Sequence, residues 1–182
     1  FIGFWLSVDV SKGDYAETRR TLEPEEGCVF MTVMGEQTST DFNVFKNNEN
    51  LNSSVRDGLA WMSEAQLPNG GYGAGSHSAQ HIKDPHAVPA DPATTSMVVQ
   101  AFLRSGVTIK DGKYGKNLEK AINYLLETVE NTPKDAAYIT EVRGTQIQSK
   151  LGQNIDAVLT AQVLSNLVDR NLKGVNKKRV IR

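Results

Sequence analysis

The chain has 182 residues, 39% of them apolar and 23% charged, and its 20 basic and 21 acidic side chains leave a net charge of −1. That length suffices for a domain with a real core, since a chain near 150 residues buries roughly 70% of the surface its unfolded form exposes. The balanced charge gives no reason to expect nucleic acid, the mean hydropathy of −0.38 does not suggest an integral membrane span, and one cysteine, Cys28, excludes an internal disulfide framework or a multi-cysteine zinc site.

Residues 1–50 lack a helical period. The apolar start Phe1-Ile2-Gly3-Phe4-Trp5-Leu6 reads as a strand or buried edge. The rival reading is the remnant of a signal peptide or anchor, which would place the protein in an envelope or outside the cell; otherwise the compartment is not readable. A start without methionine and a basic tail through Lys177, Lys178, Arg179 and Arg182 read as a piece of a longer protein. Cys28-Val29-Phe30-Met31-Thr32-Val33-Met34, flanked by Gly27 and Gly35, suits a strand. The polar run Lys46–Asn50 suits a linker, giving a β-rich or irregular segment over residues 1–50 and a helical module over 51–182.

The first helix is expected to open at Ser53 or Ser54, with Val55, Leu59, Met62, Ala65 and Gln66 on one stripe, and to stop at Pro68. Asp91 followed by Pro92 starts a second, because a capping carboxylate precedes a proline whose missing N–H costs nothing there; Gly106 ends it. Leu118, Ile122, Leu125, Leu126 and Val129 mark an amphipathic third helix, and a fourth spans about Asn154 to Arg170. The second and fourth are apolar nearly all round, so Met97, Phe102, Leu159 and Leu164 are expected to be shielded by protein. The order is outer, inner, outer, inner. An offset of 63 aligns the outer pair, and Gln100 over Gln162 aligns the inner pair at 62, so one hairpin is written twice.

The segment Arg56-Asp57-Gly58-Leu59-Ala60-Trp61-Met62, then Gln66 and Gly70-Gly71-Tyr72, runs base, small, aromatic, aliphatic, glutamine, glycine, aromatic. It resembles the glutamine-tryptophan repeat of the squalene-cyclase and protein-prenyltransferase superfamily, with Tyr72 where that repeat usually has tryptophan. The resemblance implies an all-α fold, a partial α/α toroid of helical hairpins, with Trp61, Gln66, Gly70, Gly71 and Tyr72 as the repeat motif. Two hairpins make only part of a ring, so further helical repeats of the same protein, or a partner chain, are the implied partners, and an apolar small molecule is a candidate ligand. The superfamily's active sites do not carry over. No two aspartates are adjacent, so the cyclase Asp-x-Asp-Asp acid is missing, and Cys28 lies before the helices, away from any prenyltransferase-like zinc set.

Chemistry has few candidates. His77, His81, Asp84 and His86, with Asp91 close by, contain nitrogen and carboxylate groups suited to a metal, though loop residues of this kind more commonly bond one another and the backbone. Tyr72, His77, His81 and His86 are candidate ligand-binding residues, and Asp91 and Asp156 candidate catalytic ones, for which helix capping and helix-dipole pairing are the commoner roles. Thr140, Gly144, Thr145, Gln146, Gln148 and Gln153 lie in a long polar loop able to hold a polar ligand. "NGGYGAG" lacks the lysine and strand of a phosphate loop, and no cofactor is indicated. The expected role is a non-catalytic scaffold or ligand-binding module. The alternatives are a fragment of an isoprenoid-acting enzyme, a terpene cyclase or prenyltransferase, whose catalytic residues lie elsewhere, and a metal-dependent activity on the histidine loop.

Overall fold

The computed structural model describes residues 49–110, 112–169 and 177–181. The expected strand Cys28–Met34, the apolar start Phe1–Leu6 and most of the linker lie outside the described residues. The elements are α1 (Glu49–Glu64), α2 (Pro92–Arg104), α3 (Gly115–Asn131), α4 (Gln146–Leu151), α5 (Ile155–Asp169) and α6 (Lys177–Ile181), with single 3-10 turns at His77–Ala79 and Pro85–Ala87. Among the described residues there is no strand, only one isolated bridge between Ser76 and Thr145. The module is all-α, and none of its described helices is long and apolar enough to cross a membrane.

The four expected helices form, with two changes at the edges. α1 begins at Glu49 rather than at Ser53 or Ser54, because no glycine or proline between them stops the helix from extending back into the expected linker. The loop between α3 and α5 holds a further helix, α4. It is nucleated by a capping box in which the Thr145 hydroxyl accepts from the Gln148 N–H at 3.1 Å and the Gln148 side chain accepts from the Thr145 N–H at 3.4 Å.

α2 is the centre of the core. α3 packs on one side of it and α5 on the other. Val99, Phe102, Leu118, Leu125, Val163 and Leu167 are fully buried between these three helices, and the Phe102 and Tyr114 rings stack with centroids 5.9 Å apart. α2 and α5 run parallel, since their contacts advance together: Ala93 N–H to Asp156 (3.1 Å), Ser96 to Thr160 (3.3 Å), Gln100 to Gln162 (3.3 Å). Gln100 and Gln162 are therefore neighbours in space. The positions that share an environment are Asp91 with Asp156 and Thr95 with Thr160, all four buried, a register of 65 instead of 62.

The outer layer is joined through side-chain amides. Gln66 Nε2 donates to the carbonyls of Gly70 and Asn117, both at 2.9 Å, while Asn117 Nδ2 donates to Gln66 Oε1 (2.9 Å) and the Ser63 carbonyl (3.1 Å). The end of α1 is thereby tied to the start of α3. Gly70 is required there: its φ is +86°, and a Cβ would lie 2.6 Å from the Lys120 carbonyl oxygen. At the far end Arg179 of α6 makes two 2.7 Å bonds to Glu130 and one of 3.0 Å to Asn123, and Val180 packs against the core.

The expected shielding of the inner helices holds only in part. Phe102 is buried and Leu159 and Leu164 are half-buried, but Met97 is 47% exposed and Val158 59%. Among the described residues nothing packs on the outer face of α5, so an apolar helix is left with a wet side. Two apolar residues of α1 differ from expectation in the same way, Val55 on the expected buried stripe and Trp61 of the repeat motif, which is 60% exposed.

Candidate functional site

The site grows from the first turns of the two inner helices. Asp91 caps α2: its Oδ1 accepts from the Thr94 N–H at 2.7 Å, and its Oδ2 from the Thr94 hydroxyl at 2.8 Å and the Ala74 N–H at 3.3 Å. Burial pushes its carboxyl above the usual carboxylate range; the bonds from Thr94 and Ala74 oppose the rise and the charge of Asp156 adds to it. Asp156, also buried, accepts from the Ala93 N–H at 3.1 Å and from Gln148 Nε2 at 2.8 Å. The two candidate catalytic carboxylates are thus brought together, each oxygen already bonded. Tyr124 lies beside them, its phenol pushed up to about 12 by burial, with Asp91's charge adding.

Tyr72 is a packing residue. It is 3% exposed, its N–H donates to the Thr95 hydroxyl at 2.9 Å and its carbonyl accepts from the Asp91 N–H at 2.9 Å. The phenol is raised by burial, with Asn117 opposing, and its hydroxyl is buried without a well-formed hydrogen bond. Next to it, glycine serves close backbone approach. A Cβ at Gly73 would meet the Pro89 carbonyl oxygen at 2.0 Å and one at Gly71 would meet Ala90 at 2.6 Å, so these glycines let "NGGYGAG" pack closely against the segment that leads into α2.

The histidines do not converge. His77 bonds Gln146 through Nδ1 at 3.1 Å; His86 sits 3.4 Å from Asp84, both exposed; His81 is exposed. Asp84 is occupied in capping the turn Pro85–Ala87, accepting from the His86 N–H at 2.9 Å. Among the described residues no group of three His, Cys, Asp or Glu is placed to hold a metal ion.

What does converge is the loop from Thr132 to Asn154. Gln148, 5% exposed, is its knot: besides the capping box it donates to the Val142 carbonyl (2.9 Å) and to Asp156 (2.8 Å). This loop is clipped to the histidine loop by His77 N–H to Gly144 O and Gln146 N–H to Gly75 O, both 3.0 Å. Outside the knot lies a recess of about 480 Å³ lined by Tyr138, Arg143, Gly144, Gln148, Ser149 and Gln153. Tyr138, Arg143 and Gln153 also wall a smaller one of about 140 Å³ that reaches Asn154 and Asp156, and Tyr138 closes a third, of about 320 Å³, against Thr132, Thr140 and Glu141. The Arg143 guanidinium lies 3.5 Å from the Tyr138 ring centroid, and the Tyr138 hydroxyl donates to Gln153 Oε1 at 3.1 Å.

The polar loop was the sequence feature that pointed here. Tyr138 and Arg143 give no sequence signal, for an exposed aromatic and an arginine five residues apart carry no motif. The spacing of Thr145 and Gln148 is a recognisable cap-box signal that would have placed α4. No family model, no curated protein and no solved structure matches this chain.

Proposed function

We propose that the described module is a helical-hairpin scaffold of the α/α-toroid kind that binds a small hydroxyl-rich ligand, a saccharide unit, in the Tyr138–Arg143–Gln153 recess without acting on it chemically. The observation that carries the reading is this set of recesses sharing one aromatic wall. The Tyr138 ring, the Arg143 guanidinium, the amides of Asn131, Gln148, Gln153 and Asn154 and the Ser149 hydroxyl line them. An aromatic platform covers the C–H face of a sugar while amides and guanidinium bond its hydroxyls, the mix of apolar wall and few placed polar groups that ligand sites use.

Occupancy argues against the two buried aspartates as catalysts. Asp91 and Asp156 have every carboxylate oxygen engaged by backbone or side-chain donors of the scaffold, which leaves neither of them free as a general acid or base. The toroid part of the reading is supported by the parallel inner helices and by the amide link from Gln66 to Asn117. A panel of mono- and disaccharides titrated by calorimetry tests the ligand. Saturable binding that disappears in Tyr138→Ala and Arg143→Ala, with melting temperatures unchanged, is expected; binding to none of the panel, or binding indifferent to both substitutions, defeats it.

A further inference from the structure

The open side of α5 matches a surface that is already covered elsewhere in the module. α2 meets α5 through Ala93, Ser96 and Gln100. In the register of 65 that superposes Asp91 on Asp156 and Thr95 on Thr160, those three become Val158, Ala161 and Ser165 of α5. Ala93 and Ser96 are fully buried, whereas Val158 is 59% exposed and Ala161 and Ser165 are exposed as well. Thus α5 presents outward the same face that α2 presents to α5, with nothing on it among the described residues.

The outer layer takes the same step independently. Asn117, in the first turn of α3, bonds Ser63 in the last turn of α1. Arg179 of α6, 62 positions on, bonds Glu130 in the last turn of α3. α6 therefore stands to α3 as α3 stands to α1, and it follows α5 at a distance similar to that separating α3 from α2.

From these two steps we infer that Val158, Ala161 and Ser165 form the seat for the inner helix of a third hairpin, whose outer helix begins at α6. The occupant runs parallel to α5 and carries an aspartate in its first turn with a threonine four residues later. Those are the groups that Asp156 and Thr160 offer to α2. This inference rests on the repeat part of the proposed function and is independent of the saccharide recess.

The test uses the whole chain with Cys28→Ser and Val158→Cys, alone and extended by a copy of residues 118–169 joined directly after Arg179, in register with Asn117. Thiol labelling at position 158 is expected to slow about tenfold or more in the extended chain, because a covered side chain reacts only through local opening, and helical content is expected to rise by a hairpin. An unchanged labelling rate, an added segment that gains no helix, or slow labelling already present in the unextended chain through self-association overturns it. A second measurement needs no folding of a new variant. The coding sequence downstream of Arg182 is expected to hold Asp-x-x-x-Thr about 65 residues beyond Asp156, in the repeat spacing; a continuation without such a helix, or none at all, overturns the inference too. Loss of saccharide binding in the extended chain bears only on the recess.

Discussion

Two loops do the same topological job in this molecule, each leading from an outer helix to an inner one. The first, between α1 and α2, holds all three histidines, Asp84 and Asp91; the second, between α3 and α5, holds mainly amides and hydroxyls. By residue type the first looks like the chemical one. Yet its histidines stay apart, His81 and His86 exposed and His77 on the side chains of Gln146 and Gln80, while the second gathers Thr145, Gln148, Asp156 and the Val142 carbonyl into one set and folds its remaining residues around recesses. An exposed imidazole is satisfied by solvent and has no reason to converge on anything. A buried amide must find partners, and in doing so it positions everything attached to it.

The comparison is broken most directly at the carboxylates. Asp156→Ala strands the Ala93 N–H and the Gln148 amide, and unmade bonds to buried donors are expected to cost about 2–3 kcal/mol in chemical unfolding. Asp84→Ala removes an exposed cap of a single 3-10 turn, a surface change expected to cost under about 0.5 kcal/mol. Equal costs would mean that the two loops hold the fold alike. Next in size, Gly73→Ala drives a Cβ into the Pro89 carbonyl and should cost about 1–3 kcal/mol through forced backbone movement. It would show that the first loop is held by its glycines and not by its histidines. Gln148→Ala should cost about 1–2 kcal/mol and should also weaken saccharide binding, since it loosens α4 against the recess. His81→Ala, at the other extreme, should leave the melting temperature within about 1 °C of the parent chain, as surface substitutions usually do.

The scaffold was legible because helix signals are local. Asp91-Pro92 with Gly106, and the stripe from Leu118 to Val129, declare their helices within a dozen residues, and both appear where expected. Asp91 as a cap was legible for the same reason. Its neighbour Asp156 was not, because their proximity depends on the register between α2 and α5, and the two glutamines that seemed to set that register turn out to face each other across the interface. The exposure of Met97 and Val158 was hidden for a related reason: apolar composition records what a helix is able to bury, and the neighbour that would cover it is a separate fact. The recess was the least legible part. It depends on Arg143 folding back over Tyr138, and no periodicity encodes a loop's return path.

The subtlest difference between the loops is electrostatic and appears only on titration. Burial holds the Asp91 carboxyl above the usual range, so between the ordinary aspartate value of about 3.9 and its raised value the folded protein binds more protons than the unfolded one. Stability contributed by this group is therefore fully present below the ordinary value and is lost as pH rises through the raised one. Asp91→Asn retains an oxygen to accept from the Thr94 N–H and has no proton to lose. The melting temperature of the parent chain, relative to that of Asp91→Asn, should fall as pH rises across this window. A rise instead would mean that the bonds from Thr94 and Ala74 outweigh desolvation and favour the charged form. Asp91 would then be a charged cap, and burial of its carboxylate would no longer set the start of the inner helix apart from the exposed turns of the first loop.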